Sequence, residues 1–147
     1  MDSSRLQQVH QAIARLQRLA ELFQKRREQL ARAVGLTDHQ WGVLEEISTE
    51  HFMPSMFARR RESSPAAVSK TIRQLVDKEL VEVSVSVRDA RQRTYELTDK
   101  GKQILKRLRQ RREDAIERVW MKLEPKQVNE FARFADEISP RLEELLD

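Results

Sequence analysis

The amino-acid sequence predicts a mainly α-helical protein with a small β-sheet of two or three strands, and three observations lead to this fold class. Apolar residues recur every three or four positions through most of the 147 residues, which is the period of a helix with one buried face. Only 3 Gly and 4 Pro are present, so turns are expected to be few. The alternation typical of strands appears only between residues 81 and 97.

The composition excludes several kinds of site. The chain has no Cys, which rules out disulfides, thiolate metal ligands and Cys-based redox sensing. No apolar run approaches the ~20 residues that cross a bilayer, and the N-terminus lacks the apolar core of a signal peptide. We therefore expect a cytoplasmic protein that does not interact with membranes.

Charge is distributed unevenly along the chain, although the net charge is only +4. Cations dominate residues 59–75, whereas acids dominate residues 124–147. A basic central segment suits a polyanionic partner, and the acidic end is expected to lie away from that partner.

The first predicted helix runs from Ser4 to about Val34. Its apolar residues alternate spacings of three and four, which gives a heptad-like seam suited to packing along another helix. The seam is too short for an extended coiled coil, so a dimer interface or a helical bundle is expected, and Gly35 should end the helix in the left-handed conformation. The seam consists of Leu6, Val9, Ile13, Leu16, Ala20 and Phe23.

Two shorter helices are predicted next, each with its own start signal. Thr37 and Gln40 form a capping box for the first of them. Pro54 lies in the first turn of the second, where its missing N–H is tolerated. The residues expected to face the core are Trp41, Val43, Leu44 and Ile47 in the first helix, and Met53, Met56, Phe57 and Ala58 around the second.

The helix around which the chain is organised is predicted from Ser64 to Lys78. Ser64 caps it and Pro65 takes its first position. One side is apolar, whereas the opposite side begins with small residues and carries cations and an amide one turn later. Such a face is typical of a recognition helix that enters the major groove, and an ordinary solvated face is the alternative. The apolar side is Val68, Ile72, Leu75 and Val76, and the opposite side is Ala66, Lys70, Arg73 and Gln74, flanked by Ala67 and Ser69.

A β-hairpin is predicted directly after this helix, with a basic loop from Arg88 to Arg93 between its strands. A hairpin that follows a helix-turn-helix unit is a wing. Because a two-stranded hairpin is marginally stable alone, its Val face is expected to pack on the preceding helices. The residues that define the two strands are Val81, Val83, Val85 and Val87 in the first and Tyr95 and Leu97 in the second.

Two more helices are predicted in the C-terminal third. Thr98 and Asp99 cap the first, which runs to about Lys122. The second runs from Pro125 to about Leu146, and Pro140 is expected to kink it. Its apolar stripe and that of the N-terminal helix have no obvious partner within the chain, so pairing between two subunits is expected to bury both.

Other kinds of site have little support in the sequence. The three His residues are scattered, so no metal site is expected, and no cofactor is implied. The chain has no Gly-rich phosphate loop, no nucleophile elbow and no His-Glu helix pair, which argues against an enzyme. The larger aromatic residues are expected in the core, with a pocket between the dimerisation and DNA-binding parts as the alternative; they are Phe23, Trp41, Phe52 and Trp120.

Three segments of the chain resemble the MarR family of bacterial transcriptional regulators, and the resemblance covers nearly all of it. The segments are LTDHQWGVLEEI, SSPAAVSKTIRQLVDKELVE and RDARQRTYELTDKGKQIL. The third is the most specific, because the family places an Asp-x-Arg in the wing at a fixed distance before a Leu-Thr-x-x-Gly that starts the next helix. In this sequence those positions are Asp89, Arg91, Leu97, Thr98 and Gly101.

The resemblance implies a winged helix-turn-helix at residues 36–101, between an N-terminal dimerisation helix at residues 1–35 and C-terminal dimerisation helices at residues 102–147. It implies a homodimer that binds near-palindromic operators in double-stranded DNA and regulates transcription. Repression is expected, with activation as the alternative. In this family an effector normally changes the spacing of the two DNA-binding lobes, so a small-molecule effector is an expected partner.

The resemblance also implies which residues contact DNA. The wing Arg91 is implied to enter the minor groove, and Asp89 to help hold the wing. Together with the cations of the basic loop and the exposed side of the recognition helix, the expected DNA-binding residues are Ser64, Ala66, Ala67, Ser69, Lys70, Arg73, Arg88, Asp89, Arg91 and Arg93.

The chain departs from the family pattern between Met56 and Ser63. The family usually reads Leu-Ala-x-x-Leu-Gly-Val-Ser there, whereas this sequence reads MFARRRES and has no turn glycine. The turn must therefore be made differently, and three arginines, residues 59–61, lie beside the expected DNA. A winged helix that binds protein instead of DNA is the competing interpretation, but such a module should lose the cations that the recognition helix and wing retain here.

Overall fold

The structure is a computed structural model that describes residues 2–49, 52–61, 63–85, 89 and 91–146. The predicted fold class is confirmed: the described residues are mostly helical and contain a two-stranded antiparallel sheet. The chain forms two compact units, Met1–Leu108 and Arg109–Asp147. The elements are α1 (Ser3–Ala33), α2 (Asp38–Ile47), α3 (Pro54–Arg60), α4 (Pro65–Asp77), β1 (Val81–Val85), β2 (Arg93–Leu97), α5 (Asp99–Arg118) and α6 (Pro125–Glu143), with single 3₁₀ turns at Trp120–Lys122 and Glu144–Leu146.

The core of the first unit lies around α4, which packs against α2, α3 and β1. Trp41 and Phe57 are the largest side chains in this core, and both are almost completely buried. Burial of apolar side chains of this size stabilises the unit by roughly 1.5–3 kcal/mol each. The recognition-helix candidate is therefore carried on a rigid apolar base, which is completed by Val43, Leu44, Val68, Leu75, Leu80, Leu105 and Leu108.

The start of α4 is confirmed in detail. Ser64 is the N-cap, and its Oγ accepts a hydrogen bond from the backbone N–H of Ala67 at 3.1 Å. The buried face differs from the prediction at one position, because Val76 is exposed and Thr71 is buried instead. Thr71 lies at one edge of the buried face, next to Leu75 around the helix, whereas Val76 lies at the opposite edge and lines the groove beside the hairpin.

The turn between α3 and α4 is made without glycine. The backbone N–H of Ser63 donates to the carbonyl of Ala58 at 2.8 Å, and that of Arg61 donates to the carbonyl of Phe57 at 3.1 Å. Phe57 and Ala58 are buried as predicted, but Met53 and Met56 are wrongly predicted as core residues, since they are 53% and 52% exposed. A seven-residue helix such as α3 buries only the one side that faces the core.

The end of α1 has the left-handed glycine that the sequence predicts. Gly35 has a φ of 77°. Its N–H donates to the carbonyl of Arg32 at 3.0 Å, and the N–H of Leu36 donates to the carbonyl of Ala31 at 2.9 Å. These two bonds define a Schellman cap. After the short connection from α1, Thr37 and Gln40 form the predicted capping box of α2.

The end of α4 has the same cap without a glycine. Glu79 has a φ of 61°, and its N–H donates to the carbonyl of Val76 at 2.9 Å. The N–H of Leu80 donates to the carbonyl of Leu75 at 3.0 Å, and both of these Leu side chains are buried. The two caps are also connected to each other, because Lys78 Nζ donates to the carbonyl of Gly35 at 2.7 Å.

The hairpin pairs β1 with β2 in antiparallel register, with Val81 opposite Leu97 and Val85 opposite Arg93. The expectation that its Val face packs on the helices is wrong beyond Val81, because Val83 and Val85 are 40% and 57% exposed. Of the described β1 valines only Val81 lies in the core, whereas Tyr95 and Leu97 of β2 pack against it. Val83 lines an open groove between the hairpin and α4. Val87, which was expected to continue this face, lies outside the described residues.

An aromatic chain holds the hairpin to α3. The Phe52 ring meets the Tyr95 ring edge-to-face with centroids 5.6 Å apart, and it meets the Phe57 ring at 6.1 Å. Offset or edge-to-face aromatic pairs add about 0.5–1.5 kcal/mol beyond their burial. Phe52 is therefore part of the packed structure, as is Trp41, whereas Phe23 is exposed on α1.

Exposed apolar stripes occur on α1 in the first unit and on α6 in the second. On α1 every large residue of the predicted seam is exposed, from Leu6 to Phe23. In the second unit the Trp120 ring lies 6.2 Å from the Phe131 ring, but Phe134 and Leu142 are exposed on α6. None of the described helices is both long and apolar enough to cross a bilayer.

Candidate nucleic-acid interface

The exposed side of α4 begins with small residues and continues with cations. Ser64, Ala66 and Ser69 are exposed at its start, and Ala67 is half-buried beneath them. One turn further on, the side chains of Lys70 and Arg73 are exposed to solvent. Because the exposed residues Ser64, Ala66 and Ser69 are small, the helix end can approach a surface closely while the cations reach past it.

Gln74 does not belong to this exposed side, contrary to the prediction. It is half-buried, and its Oε1 accepts a hydrogen bond from Gln40 Nε2 at 3.0 Å. Next to it, Thr71 Oγ1 lies 2.7 Å from His39 Nδ1 and 3.0 Å from the carbonyl of Ala67. Polar side chains of α2 therefore hold the middle of α4, and the exposed side is narrower than the sequence suggests.

A groove of about 380 Å³ lies between α4 and the hairpin. Arg73 of α4 and Arg93 of β2 both line it, so the structure brings together two arginines that are distant in sequence. Asp77 also lines the groove and provides one negative charge among these cations. Its walls are partly apolar and include two exposed valines, Val76 and Val83. The remaining lining residues are Ser69, Ile72 and Tyr95.

The wing loop is shaped by Asp89. Its Oδ1 accepts a hydrogen bond from the backbone N–H of Arg91 at 2.9 Å, and its carbonyl accepts from the N–H of Gln92 at 3.0 Å. The carboxylate thus holds the backbone of Arg91 and leaves its side chain exposed. Arg88, a further expected DNA-binding residue, lies outside the described residues.

The cations beyond α3 are placed only in part. Arg59 is exposed, and Arg61 is exposed with its guanidinium 5.6 Å from the centre of the Phe57 ring. The side chain of Arg60 lies outside the described residues. Within the described part of the chain, no group of three or more His, Asp or Glu side chains converges to hold a metal ion.

Several residues that position this surface were not found from the sequence. The pairs His39–Thr71 and Gln40–Gln74 join residues 32 and 34 positions apart, so no local spacing indicates them. Thr98 was predicted only as a helix cap, yet it also hydrogen-bonds the turn between α4 and β1. The one available signal was a non-glycine residue, Glu79, at the position where a helix cap usually has Gly.

Comparison with known proteins agrees with this architecture. The sequence model of the MarR family matches residues 34–92. The transcriptional regulator AdcR of Streptococcus pneumoniae is 41% identical over 71 residues, which is 48% of this chain and 49% of AdcR. The match to AdcR spans about half the length of that relative, and the family-model match includes the recognition-helix candidate.

Solved structures extend the similarity over nearly the whole chain. A MarR family transcription regulator superposes with a TM-score of 0.86 at 16% identity, covering 98% of this chain and 96% of the other. Staphylococcus aureus MarR, in complex with salicylate and kanamycin, gives 0.78 at 18% identity with coverage of 98% and 99%. MepR of the same organism, in complex with DNA, gives 0.70 at 14% identity with coverage of 86% and 93%. The chain therefore has the winged helix-turn-helix fold of these structures, and the MarR family model matches its central segment, residues 34–92.

Proposed function

We propose that the protein is a transcriptional repressor that binds a near-palindromic operator as a homodimer and is released by a small-molecule effector. The observation that carries the proposal is the surface on which α4 presents small residues and two cations beside a groove that also contains Arg93. This combination suits base edges and phosphates of duplex DNA. The family match also supports the prediction that the chain is not an enzyme.

The recognition helix supplies the major-groove contacts in this proposal. Its first turn, with Ser64, Ala66 and Ala67, lies against base edges, and Lys70 and Arg73 pair with bases or phosphates. A direct base contact contributes about 1–3 kcal/mol of discrimination. Ser69 is placed at the same surface, since it lines the groove beside Arg73.

The wing supplies the minor-groove contacts. Arg91 gains from the enhanced negative potential of a narrow A·T-rich groove, because its backbone is fixed by Asp89 while its side chain is exposed. Arg93 and Arg88 add phosphate contacts. Each phosphate contact contributes about −0.9 to the slope of log affinity against log salt concentration.

Dimerisation is supported by the exposed seam on α1. A row of large apolar residues that stays exposed along most of one long helix is typical of a surface that a partner covers. A second copy of this chain satisfies it, and the two recognition helices would then enter successive major grooves about 34–36 Å apart.

Two relatives support the remaining parts of the proposal. MepR has been crystallised with DNA, and Staphylococcus aureus MarR with salicylate and kanamycin. Binding of a small molecule that changes the spacing of the two DNA-binding lobes would release the operator. The competing interpretation is a winged helix that binds protein. A module of that kind should lack cations on the recognition helix and wing, whereas Lys70, Arg73, Arg91 and Arg93 are all exposed here.

The test is selection of operator fragments from a pool of genomic DNA at two salt concentrations. We expect saturable enrichment of a palindromic site with steep salt dependence, and Arg91→Ala should weaken binding by about 1–3 kcal/mol. Lys126→Ala, which removes a cation from α6, is the matched control and should bind normally. Leu16→Glu should convert the dimer to a monomer in sedimentation and abolish operator binding. Weak, sequence-blind binding that is unchanged in Arg91→Ala would contradict the proposal.

A further inference from the structure

The turn that joins the recognition helix to the hairpin is held by the beginning of α5. Three successive carbonyls of this turn, those of Lys78, Glu79 and Leu80, accept hydrogen bonds from it. Lys100 Nζ donates to the first at 3.2 Å, Thr98 Oγ1 donates to the second at 2.6 Å, and the Thr98 N–H donates to the third at 3.0 Å. The turn thus has partners at the start of α5 for each of these three carbonyl groups.

The Thr98 hydroxyl makes two of the contacts at this junction. It donates its single proton to the carbonyl of Glu79 and accepts the backbone N–H of Gly101 at 3.0 Å. One side chain is therefore both the N-cap of α5 and a donor to the α4–β1 turn. Ser can reproduce both bonds, whereas Val, which has nearly the same shape as Thr, can reproduce neither.

The bonded carbonyl belongs to the residue with the least favoured backbone in the described chain. Glu79 is the only non-glycine residue there with a positive φ. The left-handed conformation is unfavourable by about 1–2 kcal/mol for a residue with a Cβ atom. A change of φ and ψ at Glu79 would rotate the whole hairpin relative to α4, because the chain passes from helix to strand through this residue.

We propose that Thr98 is a positioning residue that fixes the angle between the recognition helix and the wing. Lys70 and Arg73 lie on one side of the turn and Arg91 and Arg93 on the other, so both sets reach DNA together only at one angle. This inference rests on the DNA-binding function proposed above. Thr98 itself lies at the base of the wing and acts through Glu79, without a DNA contact of its own.

The first measurement is hydrogen exchange in the free protein, with three variants. Thr98→Val removes the hydroxyl, Thr98→Ser retains it, and Thr94→Val removes a hydroxyl that is bonded only within the hairpin, 2.5 Å from Ser84 Oγ. In Thr98→Val we expect the amides of Glu79 and Leu80 to exchange about two- to tenfold faster, the range that corresponds to one lost hydrogen bond. The amides of Gly35 and Leu36, which form the equivalent cap at the end of α1, should keep their exchange rates. Thr98→Ser and Thr94→Val should exchange like the wild type.

The second measurement is operator affinity at a temperature where every variant is folded. Thr98→Val should bind about 2- to 30-fold more weakly, and Thr98→Ser and Thr94→Val should bind normally. Arg91→Ala should cost less affinity in the Thr98→Val background than in the wild type, because a displaced wing has already lost part of that contact.

The results separate the inference from the proposed function. Unchanged exchange at Glu79 and Leu80 in Thr98→Val would overturn the inference, and so would faster exchange with unchanged operator affinity. Equal acceleration at both helix caps would show a general loss of stability and would also overturn it. A wild-type protein that binds no operator would refute the proposed function, while the exchange rates would still decide whether Thr98 fixes the turn.

Discussion

Helices α1 and α4 end in the same type of cap, but the residue in the left-handed position differs. At the end of α1 it is Gly35, for which a positive φ carries no penalty. At the end of α4 it is Glu79, for which the same conformation is unfavourable. The first cap has no backbone penalty to offset and receives an exposed bond from Lys78, whereas the second contains a strained residue and receives three bonds from the start of α5.

The difference corresponds to the type of element that comes after each helix. After α1 the chain turns into α2, and a flexible residue is tolerated because the capping box of Thr37 and Gln40 immediately fixes the next helix. After α4 the chain passes into the hairpin, whose direction matters for the proposed interface. A residue with a side chain has fewer accessible conformations than Gly, so Glu79 together with Thr98 defines the direction of the wing more narrowly.

The largest expected effect comes from Gly101, which lies against the second cap. A Cβ atom on Gly101 would lie 2.2 Å from the carbonyl oxygen of Leu80, so Gly101→Ala must displace backbone. We expect a loss of about 2–3 kcal/mol in the free energy of unfolding, measured by urea denaturation. Gly42→Ala is the matched control, since its Cβ would meet only Phe57 Cζ at 3.7 Å, and it should be neutral or stabilising. Equal losses in both variants would show that the contact with Leu80 is not the cause.

The next effect is at the first cap. Gly35→Ala meets no atom within 4 Å, so any change in stability comes from the backbone conformation alone. We expect a loss of about 1–2 kcal/mol in urea denaturation. Gly35→Asn should lose less, because Asn adopts the left-handed conformation more readily than Ala. A neutral Gly35→Ala would mean that the turn after α1 can take another conformation.

At the second cap we expect a substitution to raise the free energy of unfolding instead of lowering it. Glu79→Gly relieves the unfavourable backbone conformation, and the gain is partly offset by the larger freedom of Gly in the unfolded chain. We therefore expect thermal and urea denaturation to show a stabilisation of about 0.5–1 kcal/mol. Glu79→Ala, which keeps a Cβ atom, should leave stability nearly unchanged. A destabilised Glu79→Gly would show that the Glu side chain contributes more than its backbone strain removes.

The smallest effect concerns the bond between the two caps. Lys78→Met retains the aliphatic stem but removes the donor to the Gly35 carbonyl, and we expect a loss of about 0.5 kcal/mol because the bond is exposed. Lys102→Met, on the exposed side of α5, is the control. A double-mutant cycle with Gly35→Ala should show coupling between the two sites, and strict additivity would argue that the caps are independent.

Local sequence signals predicted the local structure well. The capping box at Thr37, the Ser64 cap and the left-handed Gly35 are determined by residues within three or four positions, and all are present. The same holds for the strand pairing, where alternation located both strands. For the candidate interface, the sequence also indicated which residues of α4 are small or cationic at the exposed surface.

The errors concern contacts between distant parts of the chain. Periodicity placed Val76 and Val83 in the core, but both line the open groove between α4 and the hairpin. The prediction that Met56 faces the core with Phe57 is wrong, because a short helix buries only one side. Gln74 is wrongly predicted on the DNA side. Its hydrogen bond to Gln40 spans 34 positions of sequence, so no local pattern indicates it.

The closed base of the hairpin has a consequence for how such a wing can evolve. Thr98 and Leu80 tie its two ends together, and the aromatic contact of Tyr95 with Phe52 supports it from the side. The segment between Val85 and Arg93 can therefore gain or lose residues without disturbing the base, at an entropic cost that grows only with the logarithm of loop length. Related proteins could then acquire wings of different reach, and so different operators, on an unchanged recognition helix.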